Sequence, residues 1–280
     1  MKLRQWRLDE GPLVAFTAAA IAGGGVAVSR PLAWMLGLPP SAPGRNAALA
    51  VFLLVGGGLL FSLLHLGRPG RMTLAVRKTG RNALSNEVVF ASITAVAALV
   101  IAASPLRESW IRPLWGLLSL AACGLLISLS WVYSIPAQLV WKGLPAFAPL
   151  PPAILFGLTM HAAVANVRPD AAVRWILLLI AIDAVLWIVR SLRVEIVRRL
   201  GTVVYAEIMT ARGRVAGARF ALLTLLFPVA VLSGAWFTAL AVLGLGILVD
   251  RFAFYGLAVR QTSESEVARV ETIIRYGVRI

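Results

Sequence analysis

Residues 65–87, HLGRPGRMTLAVRKTGRNALSNE, gather an imidazole, five Lys/Arg and a carboxylate at one edge of an otherwise apolar chain. Arg68 and Arg71 follow His65 at three and six residues, Gly67 and Pro69 break the helix between them, and Glu87 opens the next apolar run. That set suits a carbonyl-bearing headgroup that exchanges protons. An imidazole, with an ordinary pKa of about 6.5, hydrogen-bonds an oxygen and also takes or gives a proton. A carboxylate within a span can relay that proton onward. A quinone, its headgroup at this depth and its tail in lipid, has the matching needs. The same residues also read without a ligand: Glu87 as an acid in the first turn of a helix, where the macrodipole favours it, and the arginines as contacts for lipid phosphate. From the residues alone the two readings weigh about evenly.

What positions these groups is set by composition. With 60% hydrophobic and 14% charged residues and a mean hydropathy of +0.86, the chain carries more apolar surface than a soluble domain of 280 residues uses. Runs of roughly 17–25 apolar residues, enough to cross hydrocarbon, recur from end to end. They fall near 12–30, 46–66, 87–104, 113–135, 150–167, 172–190, 216–233 and 235–257, with a tight Ser233-Gly234 turn between the last two. The expected fold is all-α: a polytopic integral membrane protein with eight transmembrane helices in a bundle over residues 1–260, followed by an amphipathic cytoplasmic tail, 261–280. The ten-residue alternation of a β-barrel is missing. Small residues mixed with bulky ones, as in GPLVAFTAAAIAGGGVAV, let helix backbones approach closely. No small-residue cleavage site stands convincingly before Pro31, so the first helix reads as retained.

The net charge of +15 does not call for nucleic acid, because the basic residues sit between spans. Arg219 aside, 20 Lys/Arg fall on the side of both termini and of the 67–86 loop, against six on the other. The positive-inside rule then assigns the first side to the cytoplasm of a bacterial inner membrane. A single cysteine, Cys123, rules out an intrachain disulfide or a Cys-ligated iron–sulfur cluster and reads as a small buried hydrophobe. The two histidines, His65 and His161, are expected about 16 Å apart in depth, which argues against one shared haem.

Asp183 lies inside the sixth span with nothing in its own helix turn to neutralise it fully. It is a candidate proton relay. It is equally a packing acid paired with a Ser, Tyr or Arg of a neighbouring helix, and Ser128, Ser130, Tyr133 and Ser134 offer such partners. Tyr133 is also a candidate for the quinone pocket or the interfacial aromatic belt. Residues 191–215 mix apolar and basic side chains at helical spacing, as in a helix lying on an anionic membrane surface. A competing class is the secondary transporter, with Gly23–Gly25 and Gly56–Gly58 as unwound segments, although the second half has no matching pair.

The stretch LLFSLLHLGRPGRMTLAVRKTGRNALSNEVVF closely resembles the second-to-third span signature of the DmsC family, the membrane-anchor subunit of dimethyl sulfoxide reductase-type molybdoenzymes. DEGPLVAFT, WVYSIPAQLVWKG and DRFAFYG align with it as well. The resemblance implies an eight-helix, haem-free anchor that exchanges electrons with menaquinone or ubiquinone. It also implies partners: an iron–sulfur subunit and a molybdopterin catalytic subunit, docked on the face of His65. By family position His65, Gly67, Arg68, Arg71 and Glu87 form or border the quinol site. In one respect the chain departs from the pattern: Asn86 stands where the family carries an arginine before the acid, which alters the local ion pairing.

Overall fold

Hydrocarbon offers a polypeptide no hydrogen bonds, so each apolar run must satisfy its own backbone, and it does so as helix. The computed structural model describes residues 11–38, 44–65, 79–80, 83–105, 108–132, 144–165, 169–200 and 215–256. Within them α1 (Gly11–Met35) is followed by α2 (Arg45–Val51), a π-helical turn (Phe52–Gly56) and α3 (Gly57–His65), which together make one span. Then come α4 (Ala83–Ala103), α5 (Glu108–Val132), a 3-10 turn (Leu144–Phe147), α6 (Leu150–Ala165) and α7 (Pro169–Leu200). A helix starting at residue 215 runs through a π-helical segment (Ala221–Leu226) into α8 (Phe227–Leu232), and Gly234, at φ +72°, turns the chain into α9 (Trp236–Gly256). No strand occurs among the described residues.

Among the described residues seven of the eight expected spans are long and apolar enough to cross a membrane, and the chain is a multi-pass membrane protein. The fifth starts at Leu150, as expected, and is described as far as Ala165. α6 has 16 residues, about 24 Å of helix against a hydrocarbon core of about 30 Å. It opens on Leu150-Pro151-Pro152, residues that start a helix readily, and Ala153 meets Gly25 midway along α1, so α6 fills only the Met35 half of that crossing. α7 runs past its expected end. It continues without a break to Leu200, so residues 191–200 prolong the sixth span and are not a separate surface helix. Residues 201–214 and the 261–280 tail lie outside the described residues.

α1 is the hub, and its three consecutive glycines show why. Successive helical residues point about 100° apart, and a Cβ at Gly23 would lie 2.6 Å from Val55, at Gly24 3.1 Å from Leu126 and at Gly25 1.9 Å from the Ala153 carbonyl oxygen. One residue each thus faces the second span, α5 and α6. The α6 contact is reciprocal, since a Cβ at Gly157 would fall 2.0 Å from the Gly25 carbonyl oxygen. Gly23–Gly25 are therefore unbroken α-helix in close contact with its neighbours, not an unwound segment. Leu53, Leu60, Leu117 and Leu120 point outward, as expected for a lipid-facing surface. Cys123 joins that outer stripe, contrary to its expected burial, because Ala122, Leu125, Leu126 and Leu129 take the inward positions of α5.

Candidate functional site at the Gly11 end of the bundle

Helix directions follow from the residues that meet. Gly23 faces Val55 while Gly58 faces Ala19 and Phe16, so the second span runs antiparallel to α1 and brings His65 to the Gly11 end. Ala27 accepts a hydrogen bond from Ser119 Oγ (2.8 Å) while Gly24 meets Leu126, so α5 is antiparallel to α1. α4, whose Phe90 lies against Gly124 of α5, returns to α1's direction and starts at the Gly11 end. Gly56 and Ala95 are opposite each other. His65, nine residues beyond Gly56, and Glu87, eight before Ala95, therefore sit about 14 and 12 Å from that contact toward the same end. The loop signature does bring its two ends to one level of the membrane.

Glu87 occupies the inward stripe of α4 with Ala91, Thr94, Ala95, Ala98 and Ile101, and is 1% exposed. Its Oε1 accepts no hydrogen bond. A buried carboxyl oxygen left in this state is costly, so the atom is available to a group that can donate to it. α4 packs along α2 and the π-helical turn but touches α3 little, so the two helices part toward the level of Glu87. Asn86, at the position where an arginine was missing, accepts a 2.6 Å hydrogen bond at Oδ1 from the Gly80 N–H. Gly80, at φ +80°, is the left-handed turn residue that this bond fixes before α4 begins. Gly67, Arg68, Arg71 and Tyr133 lie outside the described residues, as does the side chain of His65.

The same end carries a second group of ions that the sequence did not assemble. Asp183 is held by Arg219, whose Nη2 donates to both carboxylate oxygens at 2.9 and 2.8 Å. Its partner is thus an arginine from the next span; Ser130 is turned to the Leu126 carbonyl of its own helix. Arg219 Nε also donates to Asp250 (2.6 Å), which accepts from Arg190 Nη2 (2.9 Å) and from its neighbour Arg251. All five residues are 4% exposed or less. Three guanidiniums thus face two carboxylates, and Arg190 Nη1 and Arg251 Nε have no hydrogen-bond partner. Aromatic faces take part of the surplus: Arg219 lies 5.8 Å from the Trp187 ring centroid and Arg251 4.7 Å from that of Phe254. Val14, Val215 and Phe252 line one cavity of about 440 Å³, which fixes this cluster at the Gly11 end. The signal for it was present in the sequence: Asp183 and Arg190 are two turns apart on one face of α7, and Asp250-Arg251 stand inside the last apolar run.

His161 is elsewhere. α6 runs parallel to α1, Ala153 and Gly157 meeting Gly25 and Gly157 also meeting Ser29, so His161 lies near Arg30 and Trp34. The two histidines are separated by most of the membrane, about 30 Å, which is more than expected and incompatible with one shared haem.

No curated protein matches the chain. The sequence profile of the DMSO reductase anchor subunit (DmsC) matches residues 7–257, a stretch that takes in His65, Glu87 and all five members of the ion cluster. With nearly the whole chain covered, and helices long enough to span a membrane throughout, the protein belongs to the DmsC family of membrane anchors.

Proposed function

We infer that this chain is the quinone-exchanging anchor of a molybdopterin, iron–sulfur oxidoreductase complex in the bacterial cytoplasmic membrane. The observation that carries this reading is Glu87: a carboxyl buried in a span, with one oxygen unpartnered, level with His65 on the helix that faces it across the loop. His65 hydrogen-bonds a headgroup oxygen and exchanges its proton; Glu87 connects that site with the interior of α4. By family position Gly67, Arg68 and Arg71 belong to the same site, and Tyr133 is a further candidate for it. Menaquinone or ubiquinone, when bound, supplies the two-electron, two-proton chemistry. Electrons then need short hops to a cluster outside this chain, so the iron–sulfur and catalytic subunits dock at the Gly11 end, the cytoplasmic face by charge count. Such a site serves quinol oxidation, as in S- or N-oxide reduction, and quinone reduction, as in sulfite oxidation, alike. Asp183 enters as a proton relay only if its bidentate pair with Arg219 opens.

The test is His65→Leu in the whole complex. Quinone-linked turnover is expected to be abolished while the complex stays assembled and the catalytic subunit remains active with an artificial dye. Unchanged quinone activity, or a complex that no longer assembles, overturns the assignment.

A further inference from the structure

At the Met35 end, opposite His65, a cavity of about 740 Å³ opens between α1, α5 and α6, lined among others by Arg30, Trp34, Arg112, Trp115, Ser119 and His161. Ligand pockets have this size. Arg30 lies 5.7 Å from the Trp115 ring centroid, and among the described residues neither Arg30 nor Arg112 has a carboxylate partner. Trp115 is 5% exposed, and its Nε1 and Arg30 Nη1 are both buried without an acceptor. The two donors lie close together, both packed against Gly44: a Cβ there would be 2.0 Å from Trp115 Nε1 and 2.5 Å from Arg30 Nη1. Indole N–H and guanidinium are donors alone, so the group that satisfies them is an acceptor, and two guanidiniums at the same cavity favour an anion.

Depth narrows the choice. Arg30 is five residues from the end of α1 and Arg112 four from the start of α5, each about 6–8 Å inside the helix terminus. Trp34 and Trp110 beside them are 80% and 64% exposed, as interfacial aromatics are. We propose that this pocket binds the phosphate of an anionic membrane phospholipid, its acyl chains leaving past Trp34 into the leaflet opposite the quinone site. Basic pockets between transmembrane helices recognise headgroups in this way.

The experiment uses the full chain in its complex, delipidated in detergent and titrated with phosphatidylglycerol, diacylglycerol or inorganic phosphate under native mass spectrometry. One phosphatidylglycerol is expected to be retained and diacylglycerol not. Arg30→Gln and Arg112→Gln should each weaken retention roughly tenfold. Trp115→Phe, which keeps the ring and removes the N–H, should weaken it without changing assembly. Displacement of the lipid by inorganic phosphate would identify a soluble oxyanion as the source of the same chemistry. Equal retention by the Arg30→Gln/Arg112→Gln protein and the wild type, or binding of neither phosphate-bearing probe, overturns the proposal.

Discussion

Glu87 and Asp183 are both carboxylates buried in spans, yet their surroundings differ in the one respect that matters for proton traffic. Asp183 is closed by a bidentate arginine, whereas Glu87 keeps an oxygen without a donor. Glu87→Gln retains the shape and removes the ionisable proton. If the acid relays protons, turnover with quinone should fall by roughly 100-fold or more while binding of a quinone analogue changes little. Equal losses in turnover and binding, measured side by side on the intact complex, would make Glu87 a packing group. The position of this acid was legible in the sequence, since a carboxylate inside an apolar run invites attention. Its missing partner was not, because whether a buried oxygen is satisfied depends on residues far away along the chain. Asn86 teaches the same lesson locally: as a departure from a family pattern it looked like a lost ion pair, and in the fold it holds Gly80.

The helices are joined by two different devices, small-residue contact in the first half and ion pairing in the second. At the α1–α6 crossing the backbones touch, so Gly25→Val must push them apart. Overpacking of this kind costs about 1–3 kcal/mol, and more where, as at Gly25, the obstacle is main chain. A lowered melting temperature in detergent would register it; an unchanged one would mean that α6 can slide. Asp250 is the corresponding point in the second half, accepting from arginines on α7, on the helix that begins at residue 215 and on α9 itself. Asp250→Asn leaves three guanidiniums with one charged carboxylate, and breaking a buried ion pair from one side costs about 3–5 kcal/mol. Loss of helix association between α7 and α9, read by limited proteolysis or unfolding in detergent, is the expected result, with Asp183→Asn milder because Arg219 retains Asp250. Span positions were readable from hydropathy alone, which sees composition along one helix. The fifth span starts where hydropathy put it, at Leu150, on a Pro-Pro pair that opens a helix readily. α7 was cut short because charged residues after Arg190 resemble an interfacial loop, whereas nothing in the backbone there stops the helix.

At the scale of the whole molecule, the bundle has two chemically distinct ends, and which faces the cytoplasm decides what it can do. The Gly11 end gathers His65, Glu87 and the buried ion cluster, and α7, 32 residues or about 48 Å long, outreaches a hydrocarbon core of about 30 Å. The Met35 end carries Arg30, Arg112 and the exposed tryptophans. The proposed function takes loop charge, 20 Lys/Arg against six, to put the Gly11 end in the cytoplasm, and with a quinone near His65 it needs the iron–sulfur partner there as well. Both statements stand or fall on one labelling experiment. With Cys123 replaced by alanine, Ser191→Cys on exposed helix at the Gly11 end should react with a membrane-impermeant maleimide only in inside-out vesicles, and Met35→Cys, 75% exposed in the wild type, only in spheroplasts. The reverse pattern would place the quinone site and its partner outside the cytoplasm. The catalytic subunit would then have to be exported before it could dock, and a reductase acting on external substrates would become the natural assignment over a cytoplasmic dehydrogenase.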